Sequence, residues 1–344
     1  MSRMTAHDPE YAVSLSRTLV SVVIPMYNSE TTIARALESA LSQEPQPLEV
    51  IVVDDGSTDG SARVVARYRD RVRYIFKENG GPGSARNAGM AAARGDLIAF
   101  LDADDYWLPG FLEATTAFLA SEPSVGAVAT SYLVESRVMK RRVLRPAPRL
   151  RELSTGVVAD FFSTYSELPL VWTGAVVIRA AVARAAGPMR TDLPAGQDVE
   201  YWCRVATVAP WGFIAEPLAV YDRTSAVSVT RGPGCPRFVR DTDLWKRDIE
   251  ARLDPNDLPG FGRLVAGLGR RAFGGFLAER NPRAARAVLR SGKMGIPRCA
   301  EWFCWTLTYL PGRLAWASSA AWQLSLRVWR AGRWVRRWAV GSGG

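Results

Sequence analysis

Histidine is nearly missing: the 344-residue chain has one, His7, and it stands ahead of the first apolar run. Catalysis built on a Ser-His-Asp or Cys-His pair therefore has no imidazole in the body of the protein. Cysteine is also sparse. Cys203, Cys235, Cys299 and Cys304 form no C-x-x-C pair, which argues against a structural zinc cage and suits a reducing compartment. No charged stretch followed by an apolar core opens the sequence, so no secretory signal is read and a cytoplasmic placement is expected. These absences leave Asp, Glu, Lys or Tyr as the general base of any chemistry.

The chain has 48% apolar and 23% charged residues, an ordinary balance for a packed globular protein of one large domain with an appendage. Its net charge of +10 is uneven. Residues 1–239 hold 25 basic and 26 acidic side chains, whereas 240–344 hold 19 and 8. The basic excess therefore belongs to the last third.

Residues 1–17 lack periodicity and read as a flexible leader. Thereafter apolar β-branched runs alternate with amphipathic segments. Leu19–Pro25, Leu48–Val53, Val72–Phe76 and Leu97–Leu101 read as strands, and Thr31–Gln43, Gly60–Asp70 and Ser84–Ala93 read as helices. Ser29 is expected to cap the first helix and Asp59 the second. This order implies an α/β fold with a doubly wound, mostly parallel sheet, whose ligands bind at the carboxyl ends of the strands. Ser136–Glu152, rich in arginine, breaks the alternation and reads as an exposed connector.

Three groups follow strand ends: Pro25-Met26-Tyr27-Asn28, Asp54-Asp55-Gly56-Ser57 and Asp102-Ala103-Asp104-Asp105. All three should meet in one crevice. Carboxylates crowded after a strand repel one another unless a cation neutralises them, and oxygen-only donors suit Mg²⁺ or Mn²⁺. An isolated D-x-D is more often a solvated acidic turn. Asp54 and Asp55 could accept hydrogen bonds from a base or ribose, or could simply shape a turn. Gly80-Gly81-Pro82-Gly83, with Arg86 behind it, could cradle a diphosphate at a helix start, but lacks a P-loop lysine. Asp198, at another helix start, is a candidate general base or an ordinary cap.

Taken in order, Val22–Asn28, Val52–Asp59, Ala85–Gly89 and Phe100–Asp105 resemble the family 2 glycosyltransferases, and the likeness extends through Thr173–Arg179 and Gln197-Asp198. The resemblance implies the GT-A fold over residues 18–239 and sugar transfer with inversion. It places the nucleotide donor near Pro25, Tyr27, Asn28, Asp54, Asp55 and Arg86, and makes Asp102 and Asp104 the metal motif for Mg²⁺ or Mn²⁺, with Asp102 also facing substrate. Asp198 falls where the family has its catalytic base, with Gln197 standing where a glutamate usually precedes it. Trp172, Thr173 and Gly174 fall on the acceptor side, for a saccharide or lipid-linked saccharide. The rival readings are a nucleotidyltransferase, disfavoured by Met26-Tyr27-Asn28-Ser29 after the first strand, and a non-catalytic scaffold.

Seven of the twelve tryptophans lie between Trp302 and Trp338, within the basic segment 240–344. On a helical projection Leu324, Val328, Ala331, Val335 and Trp338 share one side, with Arg330, Arg333, Arg336 and Arg337 opposite. A helical extension lying on an anionic membrane surface is expected, at the cytoplasmic face; packing on the catalytic domain is the alternative. Pro311-Gly312 and Arg313 interrupt the stretch too early for a spanning helix. No nucleic-acid-binding module accompanies the charge.

Overall fold

The computed structural model describes residues 19–138, 141–146, 150–168, 170–193, 196–224 and 245–278, with 286 and 288. At its centre is β1 (Val20–Met26), buried along its whole length, as its near-continuous apolar sequence requires of a strand covered on both faces. It pairs in parallel with β2 (Glu49–Asp54) and β4 (Leu97–Phe100), and β3 (Arg73–Phe76) continues in parallel from β2. Three crossover helices join these strands: α1 (Ile33–Leu41), α2 (Ser61–Val65) and α3 (Pro82–Ala92).

The apolar face of α1 is Ile33, Ala36, Leu37, Ala40 and Leu41, all buried, the spacing of one helical face. Its start departs from the expected cap. The Ser29 carbonyl accepts from Thr32 and Ile33, while the Ser29 hydroxyl turns to the Tyr27 carbonyl at 3.2 Å. The turn is instead tied sideways, since the Ser29 and Glu30 amides donate to Ser61 Oγ and Asp59 Oδ2. Asp59 also departs from its expected place: the next helix is capped by Gly60, and Asp59, one residue ahead of it, accepts from the Ser61 amide at 2.9 Å.

Beyond β4 the sheet becomes mixed. The strands β5 (Tyr106–Trp107), β6 (Ala127–Val138), β9 (Val176–Arg179) and β10 (Trp211–Asp222) complete the order β3-β2-β1-β4-β9-β6-β10-β5. Strand β9 is antiparallel to both β4 and β6, so β6 and its parallel partner β10 run with β4 and end on the same edge. The segment expected to be a connector is a ribbon. Strand β7 (Arg141–Pro146) folds back antiparallel on β6, and Leu150, at the start of a 3-10 turn, is fully buried. Arginine density hid the strand pattern there. The short β8 (Gly156–Val157) adds to β10.

Helices α4 (Phe111–Ser121), α5 (Phe161–Glu167), α6 (Ala180–Ala186), α7 (Gln197–Ala206) and α8 (Leu258–Ala278) complete the layers. Asp160 caps α5 by accepting from the Ser163 amide at 2.8 Å. Trp245, Ile249, Phe261, Leu264, Val265 and Leu268 belong to the same buried cluster as the sheet, with the Phe261 and Phe162 rings 5.4 Å apart. Phe261→Ala should therefore cost about 3–5 kcal/mol of unfolding free energy. Urea denaturation checks this; an unchanged midpoint would mean that α8 unfolds separately from the sheet. The tryptophan-rich stretch from Trp302 lies outside the described residues, and among the described residues no helix is long and apolar enough to cross a membrane.

Candidate active site

The loops after β1 and β2 are laced together. Asn28, with φ at 49°, takes the left-handed conformation that asparagine tolerates. Its amide donates to Ser57 Oγ at 3.0 Å and its side-chain oxygen accepts from the Thr58 amide at 2.8 Å. Pro25 is buried in β1 opposite Val53, while Tyr27 is exposed at the strand end. Asp54 and Asp55 are both buried. Asp54 accepts from the Ser57 amide at 2.8 Å and from the Tyr74 hydroxyl at 2.6 Å. Asp55 accepts from Lys77 Nζ at 2.6 Å and from the Gly80 and Gly81 amides at 3.0 and 2.7 Å. The pair therefore sets the shape of two loops, and Asp55 brings the glycine-rich turn to the strand ends.

From that turn α3 begins, with Pro82 in its first turn after the cap Gly81. One turn further on, buried Arg86 meets the acidic cluster: its Nη2 donates to Asp102 Oδ1 at 2.5 Å. Burial opposes its charge, yet Asp102, Asp198 and Asp104 together hold the guanidinium above its ordinary range. Three carboxylates that are up to 96 positions apart in sequence thus act on one cation.

The three acids after β4 have different surroundings. The Asp104 carboxyl is pushed up to about 6, first by burial and then by Asp102, with Asp222 adding to it and Arg35 opposing it. Asp105 is pushed well above the usual carboxylate range by burial, Asp102 and Asp104. It is turned away from the cluster, accepting from Trp172 Nε1 at 2.8 Å and from the Asp222 amide at 2.9 Å. Asp102 and Asp104 remain as hard oxygen donors whose mutual repulsion a cation would relieve. Among the described residues no three His, Cys, Asp or Glu side chains group into a metal cage. Two carboxylates fit the mode in which Mg²⁺ or Mn²⁺ completes its shell with water and substrate phosphate.

Helix α7 supplies the last group. Gln197 and Asp198 open it, and Asp198 Oδ1 accepts from the Val199 amide at 2.9 Å. Gln197 Oε1 is buried and has no hydrogen-bond partner among the described residues. The start of α3 lies against this end: a side chain at Gly83 would stand 3.1 Å from the Arg190 carbonyl and 3.4 Å from Gln197 Cγ. Glycine is what allows the two helix starts to approach. Trp172 is half-buried and lies against Tyr221, with ring centroids 3.9 Å apart and the planes tilted by 32°. Thr173 is buried, accepting from Trp202 Nε1 at 3.2 Å. Gly174 is equally confined, because a side chain there would come within 3.1 Å of Asp105 Oδ2 and Trp172 Nε1.

The sequence motifs did not point to Arg35, Tyr74, Lys77, Glu135, Tyr221 or Asp222. Lys77 carried a weak signal, as a cation directly after a strand. Arg35 reaches the site from α1, and Tyr74, Glu135, Tyr221 and Asp222 are brought to it by the sheet order.

The family model described as Glycosyl transferase family 2 matches residues 21–184. An uncharacterized protein of Mycobacterium tuberculosis is 33% identical over 240 residues, covering 67% of this chain and 75% of its own. For other curated relatives, including glycosyltransferases, the aligned part is about a third of their length or less. Among solved structures, S. aureus TarS 1-349 in complex with UDP-GlcNAc superposes with a TM-score of 0.55 at 18% identity, over 84% of this chain and 90% of that one. The mannosyltransferase PcManGT from Pyrobaculum calidifontis, in complex with GDP-Man and Mn²⁺, gives 0.52 at 23% identity, over 89% and 85%. At these identities the likeness is one of fold, and it is the GT-A fold that the sequence resemblance implied.

Proposed function

Because this chain belongs to the family 2 glycosyltransferases, we propose that it transfers a sugar, with inversion, from a nucleoside-diphosphate donor to an acceptor hydroxyl. A UDP-sugar is the favoured donor and a saccharide or lipid-linked saccharide the acceptor. The observation that carries the reading is buried Arg86 bonded to Asp102 at the carboxyl edge of the sheet, within the field of Asp104 and Asp198. A leaving diphosphate needs positive charge, an acceptor hydroxyl needs a base, and both requirements are met within this one cluster.

The donor's base and ribose lie along Tyr27, Asn28, Pro25 and the Asp54-Asp55 loop, and its diphosphate faces Arg86. A divalent cation held by Asp102 and Asp104, Mg²⁺ or Mn²⁺, would supply the charge that neutralises the leaving group. Asp198 takes the proton of the acceptor hydroxyl as its oxygen attacks the anomeric carbon, in one displacement without a covalent intermediate. Trp172, anchored through its indole N–H on Asp105, offers an aromatic face to the acceptor sugar beside the metal motif, and Thr173, Gly174 and Gln197 close that side. The complex of PcManGT with GDP-Man and Mn²⁺ and that of TarS with UDP-GlcNAc support a nucleotide-sugar donor and a metal.

A screen of UDP-, GDP- and dTDP-sugars with Mn²⁺ or Mg²⁺, with and without EDTA, should give metal-dependent release of one nucleoside diphosphate. Full release in EDTA would remove the metal from the reading, and no binding of any donor would remove the enzyme assignment.

A further inference from the structure

Resting on that reading, we infer that Arg35 is the positioning residue of the metal- and diphosphate-binding turn. The buried face of α1 leaves Arg35 beside the loop that follows β4, and its guanidinium joins four segments there. Nη2 donates to the Asp104 carbonyl at 3.1 Å and to Asp222 Oδ2 at 2.5 Å, while Nη1 donates to Glu135 Oε2 at 3.3 Å. Its Cζ sits 4.3 Å from the centroid of the Tyr106 ring, the residue after Asp105. One side chain therefore ties α1 to the acidic turn and to the ends of β6 and β10.

The backbone bond to Asp104 is the informative one. A guanidinium there adds positive charge near the carboxylates that would hold a cation, which by charge alone opposes metal binding. Its benefit must then come from geometry. The Asp104 carbonyl is fixed from one side by Arg35, and Asp105 anchors the other side of the turn through Asp222 and Trp172. Between these two anchors the Asp104 carboxylate has its direction set relative to Asp102. Glu135 and Asp222 are both buried and serve as counter-charges to the half-buried guanidinium. Lysine cannot replace it, because a single ammonium lacks the planar fork that reaches three acceptors while stacking on a ring.

The test uses two variants that keep the net charge of the cluster: Arg35→Lys, and Arg35→Gln combined with Asp222→Asn. Mn²⁺ binding is read from the paramagnetic resonance of free Mn²⁺, in the presence of whichever of UDP, GDP and dTDP the wild type retains, with thermal melting in parallel. Both variants should bind Mn²⁺ about tenfold to a hundredfold more weakly, and Arg35→Lys should melt with the wild type. Wild-type Mn²⁺ affinity in both variants overturns the role of Arg35 alone. Wild-type protein that takes up no Mn²⁺ with any of the three nucleotides overturns the metal reading, and this inference with it.

Discussion

Asp198→Asn should lower the rate of sugar transfer by about 10²- to 10⁴-fold, the usual contribution of a positioned general base, while nucleotide affinity stays at the wild-type value. The amide keeps the size of the carboxylate and can still accept the Val199 amide bond that Asp198 Oδ1 accepts now. Its effect on folding comes from the lost charge, which costs about 0.3–1 kcal/mol in the first turn of α7 and also removes one of the carboxylates acting on Arg86. What it cannot do is take a proton. Steady-state transfer measured beside calorimetric binding of the donor nucleotide separates the two effects. Transfer within tenfold of wild type would place the base elsewhere; loss of nucleotide binding in step with transfer would make Asp198 a donor ligand instead.

The parts of this site that the sequence revealed are those set by local rules. Buried parallel strands read as unbroken apolar runs, so Val20–Met26 and Glu49–Asp54 were legible, and the groups at their ends followed from the topology. Residues acting across the sheet were not legible. The partners of Arg35 lie 69, 100 and 187 positions away, and no periodicity within α1 distinguishes this arginine from one in solvent. Ser29 shows the same limit at short range. Its composition suggests a cap, yet contacts with Asp59 and Ser61, some 30 positions on, decide how the turn closes. Asp105 was visible as a third acid, but only the position of Trp172 and of β10 shows that it anchors the turn.

Arg86→Met should destabilise the protein as strongly as a large core truncation, and in a way that depends on charge. Arg86 is buried, and it is bonded to Asp102 within the field of Asp104 and Asp198. Methionine fills much of the volume but leaves Asp102 without the cation bonded to it, and removing one partner of a buried pair costs about 3–5 kcal/mol. The cost should depend on pH. In the folded protein Asp104 is already pushed up to about 6 by burial and Asp102, against about 3.9 for an unfolded aspartate. An acid whose folded value is raised binds protons more readily in the native state, so its destabilising effect is full above the folded value and fades as pH falls through it. Losing Arg86 takes away a cation that stabilises charged carboxylates here, so the deficit relative to wild type should be largest at pH 7 and smaller at pH 5. Mn²⁺ should narrow it at pH 7 as well, by supplying charge to the same carboxylates. Urea unfolding of both proteins at the two pH values, with and without Mn²⁺, reads all three effects. A deficit that ignores both pH and Mn²⁺ would mean that Arg86 contributes packing rather than charge, and the acids would then have to be held apart by something other than this cation.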